Sequence, residues 1–270
     1  MVRVDVLAVG RELLIGRTLN TNAHWIGKRL ALMGTMIKLM VTADDDRSEI
    51  SRALTTLLTG RPNFLVVLGG LGPTPDDMTL DGVASALRRR MFLNRKAFSL
   101  IKAHYARRGM ADVKMTPARR KMSVLPEDAE PLANEEGTAP GVRLEYGGSI
   151  IFCLPGVPVE MRSIFRRSVE PEIRARVGDL HRKLITLKVE GIYESALAPI
   201  IQRQLNGNPD VYIKSHPRGI REGVSRIELD IATVSERSED AEVVSSRIAC
   251  EMTKAIKERG GVVRSVKGLG

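Results

Sequence analysis

The most constraining feature of the chain is a set of short apolar runs that alternate with amphipathic segments. Val4 to Val9 (VDVLAV) and Phe64 to Leu68 (FLVVL) carry almost no polar positions. A strand that exposes one face to water alternates; a run apolar on both faces belongs in a sheet covered on both sides. The segments between them repeat at helical spacing. Ile26, Leu30 and Met33 share one face of a helix expected from an Asn22 cap to Met33, and Gly34 stops it. Ile50, Ala53, Leu54, Leu57 and Leu58 share another, after an expected Asp46–Glu49 capping box. Met36 to Val41 reads as the second strand. Thr79 is the expected cap of a helix carrying Leu80, Val83, Ala84 and Leu87. Strand–helix alternation of this kind predicts an α/β fold with a mostly parallel sheet.

Helices are expected at about residues 95–107 and from Pro117 after Thr116. Val142 to Tyr146 and Ile150 to Leu154 flank Gly147-Gly148 as a hairpin, and Pro158 opens a further helix. The stretch from Pro171 to Asp179 reads as a boundary, giving domains at 1–175 and 180–270. The remainder reads β-α-β-β-α, a small α+β domain, with strands at about 184–189, 211–214 and 226–233 and helices at about 195–205 and 238–257.

Composition excludes several classes. Hydrophobic residues make up 43% of the 270, enough for an ordinary core. No run approaches the roughly 18 apolar residues of a membrane span, and Asp5 interrupts what an export signal would keep apolar. Cys153 and Cys250 lack metal-ligand or pairing spacing, so a reducing, cytoplasmic setting is expected. The net charge of +10 invites a nucleic-acid reading, but aromatics are only 4%, few platforms for stacking bases. Clusters such as Arg88-Arg89-Arg90 suit helix ends, and nucleic-acid binding is not expected.

In an open parallel sheet, ligands bind beyond the carboxyl ends of the strands. Four polar or glycine-rich segments fall there: Gly10-Arg11-Glu12, Asp44-Asp45-Asp46, Gly69 to Asp77, and Leu154 to Pro158. In GGLGPTPDD, the glycines Gly69, Gly70 and Gly72 let the backbone approach an oxyanion, and successive N–H groups can form an anion nest. Pro73, Thr74, Asp76 and Asp77 complete this loop. Carboxylates beside an anion cradle repel the ligand unless a cation bridges them, so a divalent metal such as Mg²⁺ on Asp77 is expected; Asp46 reads as a helix cap, and Asp45 either shares the metal or is a solvated surface acid. Gly137, Thr138 and Gly141 form a second glycine-rich stretch in which the hydroxyl could bond a phosphate or ribose, or which is a plain loop. Pro155, Gly156 and Pro158 are a rigid turn or a clamp at a helix start.

Together these segments resemble the molybdopterin-binding domain shared by CinA-type (competence-damage-inducible), MoaB/Mog-like adenylyltransferase and gephyrin-like proteins. The resemblance rests on AVGRELL at Ala8 to Leu14, Asn20-Thr21-Asn22, GGLGPTPDD, GTAPG at Gly137 to Gly141, and LPGVPVEM at Leu154 to Met161. The tail, with Tyr212 to Pro217, is similar to the small middle domain of CinA-like proteins. The resemblance implies a three-layer α/β/α fold and a nucleotide-diphosphate or pterin-phosphate ligand. CinA-type domains imply metal-dependent hydrolysis of ADP-ribose to AMP and ribose 5-phosphate. The adenylyltransferase relatives imply joining of AMP to molybdopterin, with the acids matching Asp45 and Asp77 essential. A non-catalytic binding module is the third reading. Glu12 is then a candidate to position a water or a ribose, and Asn20 and Asn22 to bond nucleoside hydroxyls. Arg11 departs from the small residue usual before that Glu. Family membership also implies a homo-oligomer, and a nicotinamide mononucleotide deamidase activity would need a domain that these residues do not match.

Overall fold

A computed structural model describes residues 2–110, 113–178, 180–208 and 211–269, with side chains through Arg264. The chain divides into two compact units, Met1–Val177 and Gly178–Gly270.

The first unit is built on a six-stranded sheet. Its strands are β1 (Val4–Val9), β2 (Met40–Ala43), β3 (Phe64–Leu68), β6 (Glu130–Leu132), β7 (Gly141–Tyr146) and β8 (Ser149–Leu154). They lie side by side in the order β2-β1-β3-β8-β7-β6. The four strands β2, β1, β3 and β8 are parallel; β7 and β6 add on antiparallel. Every residue of β1 and β3 is buried, as their continuous apolar runs require. A two-stranded ribbon, β4 (Met91–Leu93) with β5 (Val124–Pro126), lies outside this sheet.

Helices cover both faces. On one side Leu7, Leu65, Val67 and Ile151 pack with α3 (Arg47–Thr59), α4 (Thr79–Leu87) and α5 (Arg95–Arg107). On the other, Val4, Val6, Phe64, Val66 and Phe152 meet α2 (Thr21–Leu32) and one long helical rod. That rod comprises α7 (Pro158–Ile164), a π-helical turn at Phe165–Val169, and α8 (Glu170–Val177). The short helices α1 (Arg11–Leu14) and α6 (Pro117–Lys121) complete this unit. The fold is therefore the three-layer α/β/α arrangement expected.

Several local expectations are corrected. The second strand starts at Met40, not Met36, because the buried Asp5 carboxylate accepts from the Lys38 and Leu39 amides (3.3 and 3.2 Å) and holds the intervening chain out of the ladder. The cap of α2 is Asn20, whose side chain accepts from the Ala23 amide; Asn22 lies within the helix. Asp46 caps α3 through the Ser48 and Glu49 amides, but Glu49 pairs with Arg52 instead of closing a capping box. Thr79 is the first residue of α4 rather than its cap, and its hydroxyl donates to the Gly69 carbonyl at 2.8 Å. Residues 171–177 are helical, so the boundary lies just beyond them.

The second unit runs β9 (His181–Glu190), α9 (Glu194–Gly207), β10 (Val211–Arg221), β11 (Val224–Ser235), α10 (Ser238–Glu258) and β12 (Val262–Leu269). The order β10-β11-β9-β12 is antiparallel throughout, the split β-α-β arrangement, and includes a final strand that the β-α-β-β-α reading missed. Ile185, Leu187, Val189, Leu229 and Ile231 pack on Leu197, Ile248 and Met252 of the two helices. Among the described residues of this unit, no helix packs on the opposite face of the sheet.

The contact between α3 and α4 sets the position of the glycine loop that precedes α4. A β-carbon at Gly82 would lie 2.5 Å from Cγ2 of Ile50 and 2.6 Å from its Cβ. Gly82→Ala gains about 1 kcal/mol of helix propensity but overpacks a buried contact that costs about 1–3 kcal/mol. The urea midpoint followed by Trp25, the single tryptophan, should fall; an unchanged or higher midpoint would show that the two helices are free to separate.

Candidate functional site

Gly69 stands where β1, β3 and β8 end together. Its amide donates to the Leu154 carbonyl at 2.9 Å, and a β-carbon on it would lie 2.5 Å from the Val9 oxygen. At φ 98° its backbone is also in the left-handed region. Gly70, at φ 64°, lies against the Thr79 side chain, and its carbonyl accepts from the Thr79 amide. These glycines are required by the approach of chain to chain at the strand ends. The approach to a ligand falls to the amides beyond Gly69: among the described residues, those of Gly70, Leu71 and Gly72 donate to no protein acceptor. Successive unengaged N–H groups of this kind are the donor pattern of anion-binding concavities.

Asp77 closes this loop. Its Oδ2 accepts from both the amide and the hydroxyl of Thr74, at 2.8 and 2.6 Å, and Lys121 donates to the Thr74 carbonyl. One carboxylate oxygen is thus committed to holding the turn.

Besides a cavity of about 360 Å³ that the glycine loop shares with Leu80, Asp81, Arg120 and Lys121, two more open at these strand ends. The larger, of about 420 Å³, is lined by Gly70, Leu71, Gly72, Pro73 and Asp77, by Tyr105 and Met122, by Thr138 and Ala139, and by Pro155, Gly156, Val157 and Glu160. The smaller, of about 140 Å³, takes in Glu12, Asn20, Asn22, Gly69, Gly156 and Pro158. Gly156 belongs to both walls. The Asn22 amide group donates to its carbonyl at 2.6 Å, while the Asn22 Oδ1 is buried and has no partner. A buried acceptor left in this state is satisfied by a ligand or water donor.

Most residues singled out from the sequence therefore gather on these walls, but not all. Gly141 lies at the start of β7, where its missing side chain makes room for Ile164. Gly137 makes room for Glu160, and its amide donates to Asn134 Oδ1 at 2.9 Å. Gly10 donates to the Ala43 carbonyl at 3.1 Å and joins β1 to the end of β2. Thr74 and Asp76 are exposed and line neither cavity. Arg11 turns its guanidinium to Asp44, away from a ligand.

Asp45 also lines neither cavity. It accepts from the Arg11 amide at 2.7 Å. Burial first, then the nearby Glu12, Asp44 and Asp76 carboxylates, raise its proton affinity above the ordinary range, against the Arg11 amide that lowers it. Among the described residues no group of three or more His, Cys, Asp or Glu side chains is arranged to hold a metal ion. Asp45 and Glu12 nonetheless offer hard oxygen donors in surroundings of unbalanced negative charge, which fits a Mg²⁺-type cation completed by ligand phosphate and water.

Two polar residues of the larger cavity's wall, Glu160 and Tyr105, were not singled out from the sequence. Glu160 accepts from Asn134 Nδ2 at 2.7 Å, and Tyr105 carries the Arg119 guanidinium 4.5 Å over its ring. Glu160 sits inside the LPGVPVEM motif, so a signal existed; Asn134 and Tyr105 lie in segments whose positions only the fold assembles.

Unengaged amides at the ends of parallel strands, beside a ring-sized cavity, are the arrangement in which α/β domains bind small molecules. The model of the family described as probable molybdopterin binding domain matches residues 5–175, and the chain belongs to that family. A relative from Aeropyrum pernix is 37% identical over 97% of this chain and 96% of its own length. One from Saccharolobus solfataricus is 34% identical over 97% of this chain and 94% of its own. Among solved structures, CinA from Thermoplasma acidophilum, a protein described as of unknown function, is 37% identical with a TM-score of 0.58. It covers 63% of this chain and 98% of that one. The chain is thus CinA-like. No helix among the described residues is long and apolar enough to cross a membrane.

The state of Asp45 yields a test. Because its folded-state proton affinity is raised, the charged form opposes folding above the carboxylate range, and the cost vanishes once acid protonates it in both states. Asparagine keeps an acceptor for the Arg11 amide. Asp45→Asn should therefore raise the thermal midpoint at pH 7 by about 1–2 °C, with the gain fading as the pH falls towards about 4. A lowered midpoint at pH 7 would mean that the carboxylate is structurally required.

Proposed function

We propose that the first unit binds a small molecule bearing a pterin or nucleoside ring and a phosphate or diphosphate, and that it serves molybdenum-cofactor chemistry as a binding protein or adenylyltransferase. The observation that carries this reading is the row of unengaged amides at Gly70, Leu71 and Gly72 on the wall of the 420 Å³ cavity. The amides would hold the phosphate oxygens, as backbone donors hold anions elsewhere. Thr138 would donate its hydroxyl to a second oxygen. Tyr105, Met122 and Val157 supply apolar wall for a ring, and Glu160 an acceptor for a ring N–H. Asn22, through its unpartnered Oδ1, would accept from a hydroxyl reaching into the smaller cavity. Family membership supports the pterin class.

A second reading, hydrolysis of an ADP-ribose-like diphosphate, is favoured by the like-charged surroundings of Asp45. Asp45 with Glu12 would hold a divalent cation completed by ligand phosphate and water, and Asp77 would act through the loop it closes. Such a cation would neutralise charge on the phosphate oxygens. Glu12, exposed at the mouth of the smaller cavity, would orient a water. The two readings part by product. Adenylyl transfer consumes ATP and a pterin phosphate and releases pyrophosphate; hydrolysis of ADP-ribose releases AMP.

A phosphorylated pterin, followed by its own fluorescence, should bind saturably. Thr138→Val should weaken it by about tenfold, the loss of a hydrogen bond to a charged group, about 1.4 kcal/mol. Asp77→Asn should lower turnover of whichever substrate is active at least tenfold without moving the Trp25 unfolding midpoint. Wild-type affinity in the first variant and wild-type turnover in the second would remove the loop from the reading.

A further inference from the structure

The helix-free face of the second unit's sheet carries a concave patch unlike the rest of that surface. Its cavity, of about 440 Å³, is lined by residues of the paired strands β9 and β11 and of the end of β10. In register, Arg226 stands opposite Glu190 and Glu228 opposite Lys188, so two cations and two carboxylates alternate across the central pair. Such a square is neutral by itself. Two β-bulges, one on each flanking strand, change that balance.

The ladder of β10 slips between Pro217 and Ile220, and Arg218 emerges there to donate from Nε and Nη2 to Glu228 at 3.1 and 2.7 Å. The ladder of β12 slips between Val263 and Ser265, and Arg264 donates to Glu190 at 2.8 Å. Each carboxylate is therefore shared by two cations: Glu190 by Arg226 and Arg264, Glu228 by Arg218 and Lys188. Arg221, exposed on the same rim, has no acidic partner among the described residues. Four cations thus share two carboxylates, and a fifth stands unpaired beside them. The Arg226 Nε, although 3.2 Å from Glu190, is buried and out of line for a hydrogen bond. Bulges that re-aim side chains are a feature of binding sites. Arginines spaced around an opening suit the planar, multi-oxygen geometry of a phosphate.

We propose that this face is a second anion site, and that it takes a phosphorylated small molecule. The excess of three positive charges matches a phosphomonoester or a diphosphate. No aromatic side chain lines the cavity, so bases of a nucleic acid have nothing there to stack on. The site draws on residues of the second unit alone and does not depend on what the glycine loop binds.

The test is a titration of the full chain with inorganic pyrophosphate, followed through the arginine Nε–Hε resonances. Those of Arg218, Arg226 and Arg264 should shift saturably. Arg221→Gln, which breaks no contact, should raise the half-shift concentration at least fivefold. Asp77→Asn should leave that concentration unchanged, which separates this site from the first unit's. Sodium chloride at equal ionic strength producing the same shifts, or no saturable shift at all, would overturn the proposal. So would single-stranded RNA moving these resonances at concentrations where pyrophosphate does not, since the face would then belong to a polymer.

Discussion

The first unit depends on one close approach, that of Gly69 to the Val9 carbonyl at the ends of β1 and β3. Any side chain at residue 69 would drive the two strand ends apart, because a β-carbon would lie 2.5 Å from a backbone oxygen that has no room to yield. The same residue donates to Leu154, and a β-carbon on Gly156 would lie 3.5 Å from the Gly69 Cα, so a third strand end is drawn in. With the chain pinned there, Thr79 can fasten the Gly69 carbonyl to the start of α4. The next three amides then meet no protein acceptor among the described residues. The close approach that only glycine permits at residue 69 thus leaves donors free at the residues that follow.

Charge is arranged around this point in two different ways. Asp77 commits one oxygen to the turn and keeps its loop rigid, which is what preorganises the amides. Asp45 sits at the end of β2 among other acids, and the Arg11 amide and guanidinium offset only part of the repulsion and burial. Groups whose environments disfavour their charged form concentrate at functional sites, and the cost is borne in stability. The basic face of the second unit shows the opposite imbalance, cations in excess of carboxylates, assembled by two bulges rather than by a turn.

Much of this architecture was legible in the sequence, for identifiable reasons. FLVVL and VDVLAV announce strands buried on both faces, and the helix periodicities placed α3 and α4 correctly. The motifs GGLGPTPDD, GTAPG and LPGVPVEM marked the loops that meet at the cavity. What could not be read came from long-range partners. A lone Asp5 inside an apolar run gave no hint that it would capture the Lys38 and Leu39 amides and delay β2. The glycines were legible as glycines, but their reason was not, since the oxygen that Gly69 makes room for belongs to a strand far back along the chain. Asn134 and Tyr105 carry no local signature, and the bulged arginines of β10 and β12 acquire meaning only through the register of the strands between them.

The central claim is that the amides of Gly70, Leu71 and Gly72 receive the phosphate of a bound ligand. Their nitrogen chemical shifts during titration of the full chain with a phosphorylated pterin test it most directly. The three signals should move together with that of Thr138 and saturate at one concentration. Saturable binding that leaves all three unmoved, or movement confined to residues outside the cavity, would contradict the account.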